Sequence, residues 1–331
     1  MKKISCLVMA AVVLVCSLTG CREQDTLVSK QGFYFDTVIK ISIAGKAKKE
    51  SEKILDQCLA LCQKYENIFS RTREDSEVYQ INHRSTGSVK VSEDVQRLIA
   101  AAMEYYKLTD GKFDITVAPL EELWNFTGEN PRVPSPVEIQ EALGKVGMSG
   151  ISLEGDTLTF ENDETMIDLG ALAKGYIADR LKEFLREQGV SKGVINLGGN
   201  VLTLGGKSDG SPWKVGIQKP FADRNELLAV VEADGQSVVS SGIYERYFEE
   251  NNKRYHHVLD PATGCPVENS LTQVTILSDS SLQGDGLSTS CLLLGYEKGR
   301  ELAESLEGVE AAFVLEDGTI HTTEGMNLTE Q

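Results

Sequence analysis

Helical and strand-like residue patterns are segregated along this chain instead of alternating with each other. Before residue 190 the apolar residues recur mostly at the helical period, most clearly over 52–69 and from Ser92 onward. After residue 190 the pattern turns mostly to short strands, two pairs of which are joined by Asp-Gly. Regular alternation is typical of parallel βαβ folds. The segregation therefore predicts an α+β protein with mixed or antiparallel sheets and flanking helices, and argues against Rossmann and TIM-barrel folds.

The same patterns give bounds for the individual elements. Strands are predicted at 33–43, 194–197, 213–218, 227–232, 237–240, 255–259, 271–277, 311–315 and 319–322, with a hairpin at 151–160. Helices are predicted at 52–69, 171–188, 288–294 and 297–306, and after the capping residues Ser92 and Ser135. The cysteines at 58, 62, 265 and 291 have neither the spacing of a zinc site nor that of a disulfide framework.

Residues 1–20 are predicted to be a lipoprotein signal peptide. Two lysines precede an apolar run over 6–16, which is too short to span a bilayer, since spanning takes roughly 20 apolar residues. The run ends in a Leu-Thr-Gly-Cys sequence that resembles a bacterial lipobox, in which Cys21 is lipidated; a plain secretory signal is the alternative. We expect a lipidated tether over 21–32, a folded domain over 33–325, and a protein anchored to the cell membrane, on the periplasmic or extracellular side.

The charge of the chain limits its partners. Thirty-three basic and fifty acidic residues give a formal net charge of −17, and no stripe rich in Lys and Arg occurs. A nucleic-acid partner is therefore not expected. An anionic small molecule would need a bound cation or a well-placed lysine to offset the repulsion. The P-loop and the G-x-G-x-x-G fingerprint are both missing from the sequence.

The segment from Asp285 to Thr289 carries oxygen donors at helical spacing. If a helix starts here, Asp285 and Thr289 lie one turn apart with Ser288 beside them. Carboxylate and hydroxyl oxygens suit Mg²⁺, which takes few protein ligands and leaves room for a substrate phosphate. The alternative is a structural role, in which Asp285 caps the helix.

Two further segments are candidates for ligand contact. Small residues between Asp168 and Tyr176 would let a ligand approach the backbone at a helix entrance, and Lys174 could balance a phosphate; an ordinary strand-to-helix turn with a surface lysine is the alternative. His256 and His257 precede a strong turn signal at 260–264. Adjacent residues of a strand face opposite sides, so only one of the two histidines enters a pocket, and position alone does not choose it.

Eight segments follow one another along the chain: Phe35-Asp36-Thr37, Phe69-Ser70-Arg71 with Ser76-Glu77-Val78, the run Gly111 to Leu120, Asp168 to Arg180, Ile195 to Asn200, Ser241-Gly242, His257 to Gly264, and Asp285 to Thr289. In this order they resemble the ApbE family of FAD:protein FMN transferases. The resemblance spans roughly residues 33–322.

This resemblance implies a Mg²⁺-dependent transfer of the FMN moiety of FAD, the substrate, onto a threonine or serine hydroxyl of an exported protein, with release of AMP. It also implies an ApbE-like, T-fold-like architecture. The implied metal ligands are the Ala171 carbonyl, Asp285 and Thr289, with Ser288 close by. The implied FAD-binding residues are Phe35, Thr72, Lys112, Phe113, Asp114, Asp168, Lys174 and Leu259. His257 is the candidate for acid–base or phosphate-positioning work, and Asp285 is the second catalytic candidate.

One departure and two rival activities go with this reading. Many family members carry an aromatic residue near Thr72, so its absence here is expected to loosen stacking on the flavin. A Mg²⁺-dependent FAD pyrophosphatase would use the same site, with water in place of the protein hydroxyl. A lipoprotein that only captures flavin fits the lipobox equally well, but it does not need a cation on Asp285 and Thr289.

Overall fold

The computed structural model describes residues 26–223 and 225–331. The predictions for the signal peptide and for Cys21 lie outside these residues. Within the described ranges, no helix has both the length and the apolar character needed to cross a membrane.

The described residues contain strands that all pair in antiparallel fashion. In chain order they are β1 (Val28–Tyr34), β2 (Thr37–Ala44), β3 (Ser88–Lys90), β4 (Ile151–Glu154), β5 (Thr157–Phe160), β6 (Lys192–Asn196), β7 (Asn200–Leu204), β8 (Trp213–Gln218), β9 (Leu227–Ala233), β10 (Ser237–Gly242), β11 (Tyr247–Glu250), β12 (Lys253–His256), β13 (Leu271–Ser278), β14 (Glu310–Leu315), β15 (Ile320–Thr322) and β16 (Leu328–Glu330).

An eight-stranded sheet forms the centre of the fold, in the order β1-β2-β6-β7-β10-β13-β14-β15. A three-stranded sheet, β16-β9-β8, packs against one of its faces. This contact joins Val215 and Val231 of the small sheet to Val238, Leu277 and Ala312 of the large one. Every residue of β13 is buried, because the small sheet covers one face and helices cover the other.

The helices are α1 (Lys48–Phe69), α2 (Glu77–Asn82), α3 (Glu93–Leu108), α4 (Ala118–Trp124), α5 (Pro136–Leu143), α6 (Gly170–Glu187), α7 (Ser281–Leu294) and α8 (Tyr296–Glu304). The Ser92 side chain accepts from Val95 N–H at the start of α3, and Ser135 forms the predicted capping box with Glu138 at the start of α5. Helices α6 and α7 contact each other most extensively, and α7 lies on β10 and β13. This pair of helices positions the candidate site.

Two smaller sheets complete the fold. The strands β3-β5-β4 form one, and the hairpin β11-β12 forms the other. Asn251 and Asn252 join β11 to β12 with φ of 52° and 60°, the left-handed conformation that a two-residue hairpin turn needs. Phe248 and Tyr255 of this hairpin pack on Trp124 of α4, which fixes the hairpin to the body of the protein.

The α+β class and most predicted elements are confirmed. The strands at 213–218 and 271–277, the hairpin at 151–160 and the helices at 52–69 and 171–188 lie within a few residues of their predicted bounds. The cysteines at 58, 62, 265 and 291 are free, as the absence of a disulfide framework predicted. Cys58 and Cys62 are fully buried.

The predicted bounds of three elements, the strands at 33–43 and 255–259 and the helix at 288–294, are wrong. The strand at 33–43 is the hairpin β1-β2, which turns at Phe35 and Asp36 with φ of 54° and 58°; the usual glycine is missing there, so the turn gave no signal. Its first strand begins at Val28, inside the predicted tether over 21–32, and β16 ends beyond residue 325. The strand at 255–259 lies at 253–256. Helix α7 starts at Ser281 and not at 285–288.

Candidate active site

Helices α6 and α7 approach closely where Gly175 meets the start of α7. A Cβ atom at position 175 would overlap the carbonyl oxygen of Ser281 and lie 2.8 Å from Cβ of Asp285. The Gly175 N–H donates to Oδ2 of Asp285 at 2.7 Å. In a regular helix the Gly175 N–H donates to the carbonyl of Ala171. Because this N–H donates to Asp285, the Ala171 carbonyl oxygen is more available to bind a metal ion.

Asp285 lies in the second turn of α7 and is 4% exposed. The structural alternative, in which Asp285 caps the helix, is wrong: the cap is Ser280, whose hydroxyl accepts from Gln283 N–H. Burial raises the pKa of Asp285 to about 6, although the charge of Lys174 and the Gly175 N–H act in the opposite direction. A buried carboxylate with one backbone partner favours a cation as its second partner.

Three hydroxyls adjoin Asp285. The Ser288 hydroxyl lies 3.0 Å from the carbonyl oxygen of Asp285 and 2.8 Å from the hydroxyl of Ser241. Ser241, at the end of β10, is also 3.4 Å from Oγ1 of Thr289. The fold thus brings together the side chains that the helical spacing predicted, and adds Ser241 from another element.

The entrance of α6 carries a charged cluster around Asp168. Its Oδ1 accepts from Gly170 N–H at 2.5 Å, and its Oδ2 is 2.7 Å from Nε of Arg71. A guanidinium nitrogen of Arg71 also lies 3.3 Å from Glu121 of α4. Burial and the nearby Asp168 carboxylate raise the pKa of Glu121 above its usual range. Arg71 therefore holds two acidic side chains together at this entrance.

The two histidines after β11 have different surroundings. His256 ends β12 and is 7% exposed, so it belongs to the interior. His257 is half-buried, and both its N–H and its Nδ1 lie within 3.2 Å of the Arg246 carbonyl. Nδ1 must donate to that oxygen, which leaves the lone pair of the neutral ring on Nε2. Burial and the charge of Arg246 lower the pKa of His257 to about 3, so the ring is neutral at physiological pH.

Lys174 connects the histidine with the acidic centre. Its positive charge lowers the pKa of Asp285 and also that of His257, so the ammonium acts on both groups. It forms no direct ion pair within residues 26–223 and 225–331. A lysine without a carboxylate partner is available to an anionic ligand.

Four other residues that were predicted to bind FAD differ in their burial and partners. The N–H of Phe35 donates to Glu66 at 2.8 Å in the β1-β2 turn. Thr72 is exposed, and its hydroxyl is 3.2 Å from that of Ser70. Lys112 lies 3.3 Å from Asp260, and Leu259 is 5% exposed. They come from four different segments of the chain.

Phe113 and Asp114 have structural partners. Phe113 is 2% exposed and packs on Tyr105. The Asp114 carboxylate accepts from the N–H and hydroxyl of Thr116 and from Met148 N–H. The hydrogen bonds of Asp114 hold the loop at 147–148 in place. Both side chains therefore have structural contacts within the fold.

The candidate metal ligands include one acidic side chain, that of Asp285. In the part of the chain that the structure describes, no group of three or more His, Cys, Asp and Glu side chains could hold a metal. One carboxylate, two hydroxyls and a backbone carbonyl make a site that suits a hard cation with water or phosphate oxygens in its remaining positions. A transition-metal site would need nitrogen or sulfur ligands.

Sequence reasoning gave no role to Ser241, Arg71, Glu121, Arg246 or Asp179. Ser241, Arg71 and Asp179 lie in segments that carry the family resemblance, which was the available signal. Glu121 and Arg246 act through partners far along the chain, and no local pattern points to such a pairing.

Known proteins are similar to this chain in sequence and in fold. The sequence profile of the ApbE family matches residues 35–313. A FAD:protein FMN transferase of Klebsiella pneumoniae is 38% identical over 278 residues, covering 83% of this chain and 86% of the relative; one of Treponema pallidum is 30% identical and covers 98% and 96%. The crystal structure of the apo flavinyl transferase ApbE of Pseudomonas stutzeri superposes with a TM-score of 0.79 at 32% identity, covering 91% and 95%. That of the ApbE protein of Thermotoga maritima gives 0.82 at 34%, covering 90% and 97%. The chain belongs to the ApbE family.

Proposed function

We propose that the protein transfers the FMN moiety of FAD to a threonine or serine hydroxyl of an exported acceptor protein, with Mg²⁺ bound at Asp285. Two observations support the proposal: a neutral His257, whose Nδ1 is held by the Arg246 carbonyl, and the oxygen ligands that Asp285, Ser288 and Thr289 place on α7. Lys174 joins the two, since its charge reaches both. A base beside a cation-binding group is what attack on a pyrophosphate requires.

The proposed Mg²⁺ ligands are Asp285, Thr289 and the Ala171 carbonyl, with Ser288 and Ser241 next to them. When bound, Mg²⁺ would neutralise charge on the phosphate oxygens of FAD. Asp285 fits this role because it is buried and ionises more readily with a cation than without one. The cation and Lys174 also offset the repulsion between an anionic substrate and a chain of net charge −17.

The transfer breaks the phosphoanhydride bond of FAD and forms a phosphoester bond with the acceptor. The acceptor hydroxyl attacks the FMN phosphorus, the bond between the two phosphates breaks, and AMP leaves. The hydroxyl proton passes to Nε2 of His257, while the Arg246 carbonyl keeps the ring oriented through Nδ1. Because His257 is neutral at physiological pH, it starts the reaction as a base and needs no prior deprotonation.

We also propose that Cys21 carries a lipid and holds the protein on the outer side of the cytoplasmic membrane or in the periplasm. The lipobox supports this placement. The first strand begins at Val28, so only a short segment would separate the folded domain from the lipid. Acceptors would then be proteins exported to the same surface.

The test follows AMP release from FAD by the purified protein with Mg²⁺ or with EDTA, in the presence or absence of an exported flavoprotein fragment. AMP release that requires Mg²⁺ and the fragment, together with a gain of FMN mass by the fragment, supports the transferase. AMP and free FMN without any acceptor would identify a pyrophosphatase. Bound FAD without AMP in any arm would identify a flavin-binding protein.

A further inference from the structure

Helices α6 and α7 run antiparallel with their contacts one turn apart. On α6 the contacts come from Gly175 and Asp179, and on α7 they come from Ser281 and Asp285. Residues four apart lie on the same face of a helix, so the two faces form a ladder. Its first rung joins Asp179 to Ser281, and its second joins Gly175 to Asp285.

The third rung of this ladder is the proposed metal site. One turn further along α6 is Ala171, and one turn further along α7 is Thr289. The proposed ligands therefore sit on two helices whose relative position is fixed elsewhere. A slip of one turn would move them about 5.4 Å apart along the axis and separate the carbonyl from the carboxylate and the hydroxyl.

Asp179 makes the first rung with three hydrogen bonds. Its Oδ1 accepts from Ser281 N–H at 2.9 Å, and its Oδ2 accepts from Leu282 N–H at 3.0 Å and from the Ser280 hydroxyl at 2.7 Å. These are the otherwise unpaired donors at the N-terminus of α7, where a negative charge is also favoured by the helix dipole. Hydrogen bonds to a charged carboxylate are roughly twice as strong as neutral ones.

A second network holds the same end of α7 from the sheet. The Ser281 hydroxyl lies 2.8 Å from Oδ1 of Asn200 and 3.0 Å from the hydroxyl of Ser237. All three side chains are fully buried. This network connects α7 to β7 and β10, whereas the bonds of Asp179 connect it to α6.

We infer that Asp179 is a positioning residue: it sets the register between α6 and α7 and so brings Ala171 to the Mg²⁺ ligands Asp285 and Thr289. It touches neither the cation nor FAD. The inference rests on the proposed Mg²⁺-dependent reaction. It adds Asp179, which is not a metal ligand, to the groups on which the affinity for Mg²⁺ depends. Residues that orient metal ligands typically change metal affinity or activity by about 10- to 100-fold when they are replaced.

The experiment measures FAD affinity of the full-length protein by flavin fluorescence, in EDTA and across a Mg²⁺ titration. In Asp179→Asn, an NH₂ group replaces one acceptor oxygen and cannot accept from a backbone N–H. We expect FAD affinity in EDTA to match that of the unchanged protein, and the Mg²⁺ concentration for half-maximal effect to rise by about 10-fold or more. Ser280→Ala removes only one of the three bonds and is expected to give a smaller rise.

Ser135→Ala is the matched control, because it removes the cap of α5, which has no extensive contact with α6 or α7. It should lower the melting temperature and leave the Mg²⁺ response unchanged.

If Asp179→Asn lowers the melting temperature with an unaltered Mg²⁺ response, Asp179 is only a helix cap and the inference is wrong. If Asp179→Asn does not fold, Ser280→Ala decides, and an unaltered Mg²⁺ response there overturns the inference. If the unchanged protein binds and turns over FAD equally with Mg²⁺ and EDTA, the proposed function itself fails, and the inference falls with it.

Discussion

The backbone N–H of Gly175 donates to the Asp285 carboxylate at 2.7 Å, although the two residues are 110 positions apart in the sequence. This bond couples the entrance of α6 to the second turn of α7. The bond engages the N–H that would donate to the Ala171 carbonyl in a regular helix. It also occupies one oxygen of Asp285, the buried carboxylate among the proposed ligands. Position 175 is therefore the most sensitive point of the site.

Gly175→Ala is expected to destabilise the protein by about 1–3 kcal/mol and to abolish Mg²⁺-dependent turnover, because the added Cβ overlaps Ser281 and pushes α6 from α7. Urea unfolding and AMP release measure the two effects. Gly144→Ala is the control, since Gly144 has right-handed backbone angles and a Cβ there would make only ordinary van der Waals contacts, 3.4 Å from the Glu141 carbonyl oxygen and 3.8 Å from that of Gln140. Retention of full activity by Gly175→Ala would contradict the close approach of the helices.

Asp285→Asn should abolish the Mg²⁺-dependent release of AMP and leave the protein folded. The variant keeps the shape of the side chain but loses the charge that holds the cation. Without Mg²⁺ its melting temperature at pH 8 should equal or exceed that of the unchanged protein, because an ionised buried carboxylate is removed. Asp317→Asn, in an exposed turn, is the control. Turnover that survives in Asp285→Asn would rule out the proposed metal site.

Arg71→Gln is expected to cost about 1.5–3 kcal/mol of stability, because Asp168 and Glu121 lose their shared charged donor. Adding Glu121→Gln should restore part of that loss, since one of the two neighbouring carboxylates is then neutral. Denaturant unfolding of the two single variants and the double variant gives the coupling between the positions. Simple additivity would show that the three side chains do not form one cluster.

Stability is expected to fall between pH 6.5 and pH 4 through His256. Burial lowers the pKa of His256 to about 4, so the unfolded chain binds a proton in this range that the folded protein does not. More protons on the unfolded state mean that stability decreases as pH falls, here by up to about 3 kcal/mol, and that the contribution is fully present above pH 6.5.

Unfolding at pH 7.5, 6 and 4.5 should show this loss, and His256→Asn should reduce it. His83 is exposed, so His83→Asn is the matched control and should leave the pH dependence unchanged. An identical pH dependence in the unchanged protein and in His256→Asn would assign the acid sensitivity to other groups.

The family and the elements with strong local patterns could be predicted from the sequence. Helix α3 follows from its apolar stripe and its cap at Ser92, and α5 follows from the capping box at Ser135. The spacing of Asp285, Ser288 and Thr289 was sufficient to place them on one helix face, since a period of 3.6 residues determines which side chains are neighbours. The start of α7 could not be predicted so well, because its cap, Ser280, precedes a segment with hardly any amphipathic pattern.

The sequence by itself therefore determined what depends on neighbouring residues: helix stripes, caps, strand alternation and the order of the family segments. Only the tertiary structure decided which distant groups meet. The contacts between Gly175 and Asp285, between Asp179 and Ser281, between Arg71 and Asp168, and between the His257 ring and the Arg246 carbonyl all join separate elements. The turn at Phe35 and Asp36 belongs with them, since strand pairing holds two residues other than glycine in a left-handed conformation that their own preferences disfavour. Such contacts form because burial of the apolar faces fixes the packing, and no local residue pattern records that outcome.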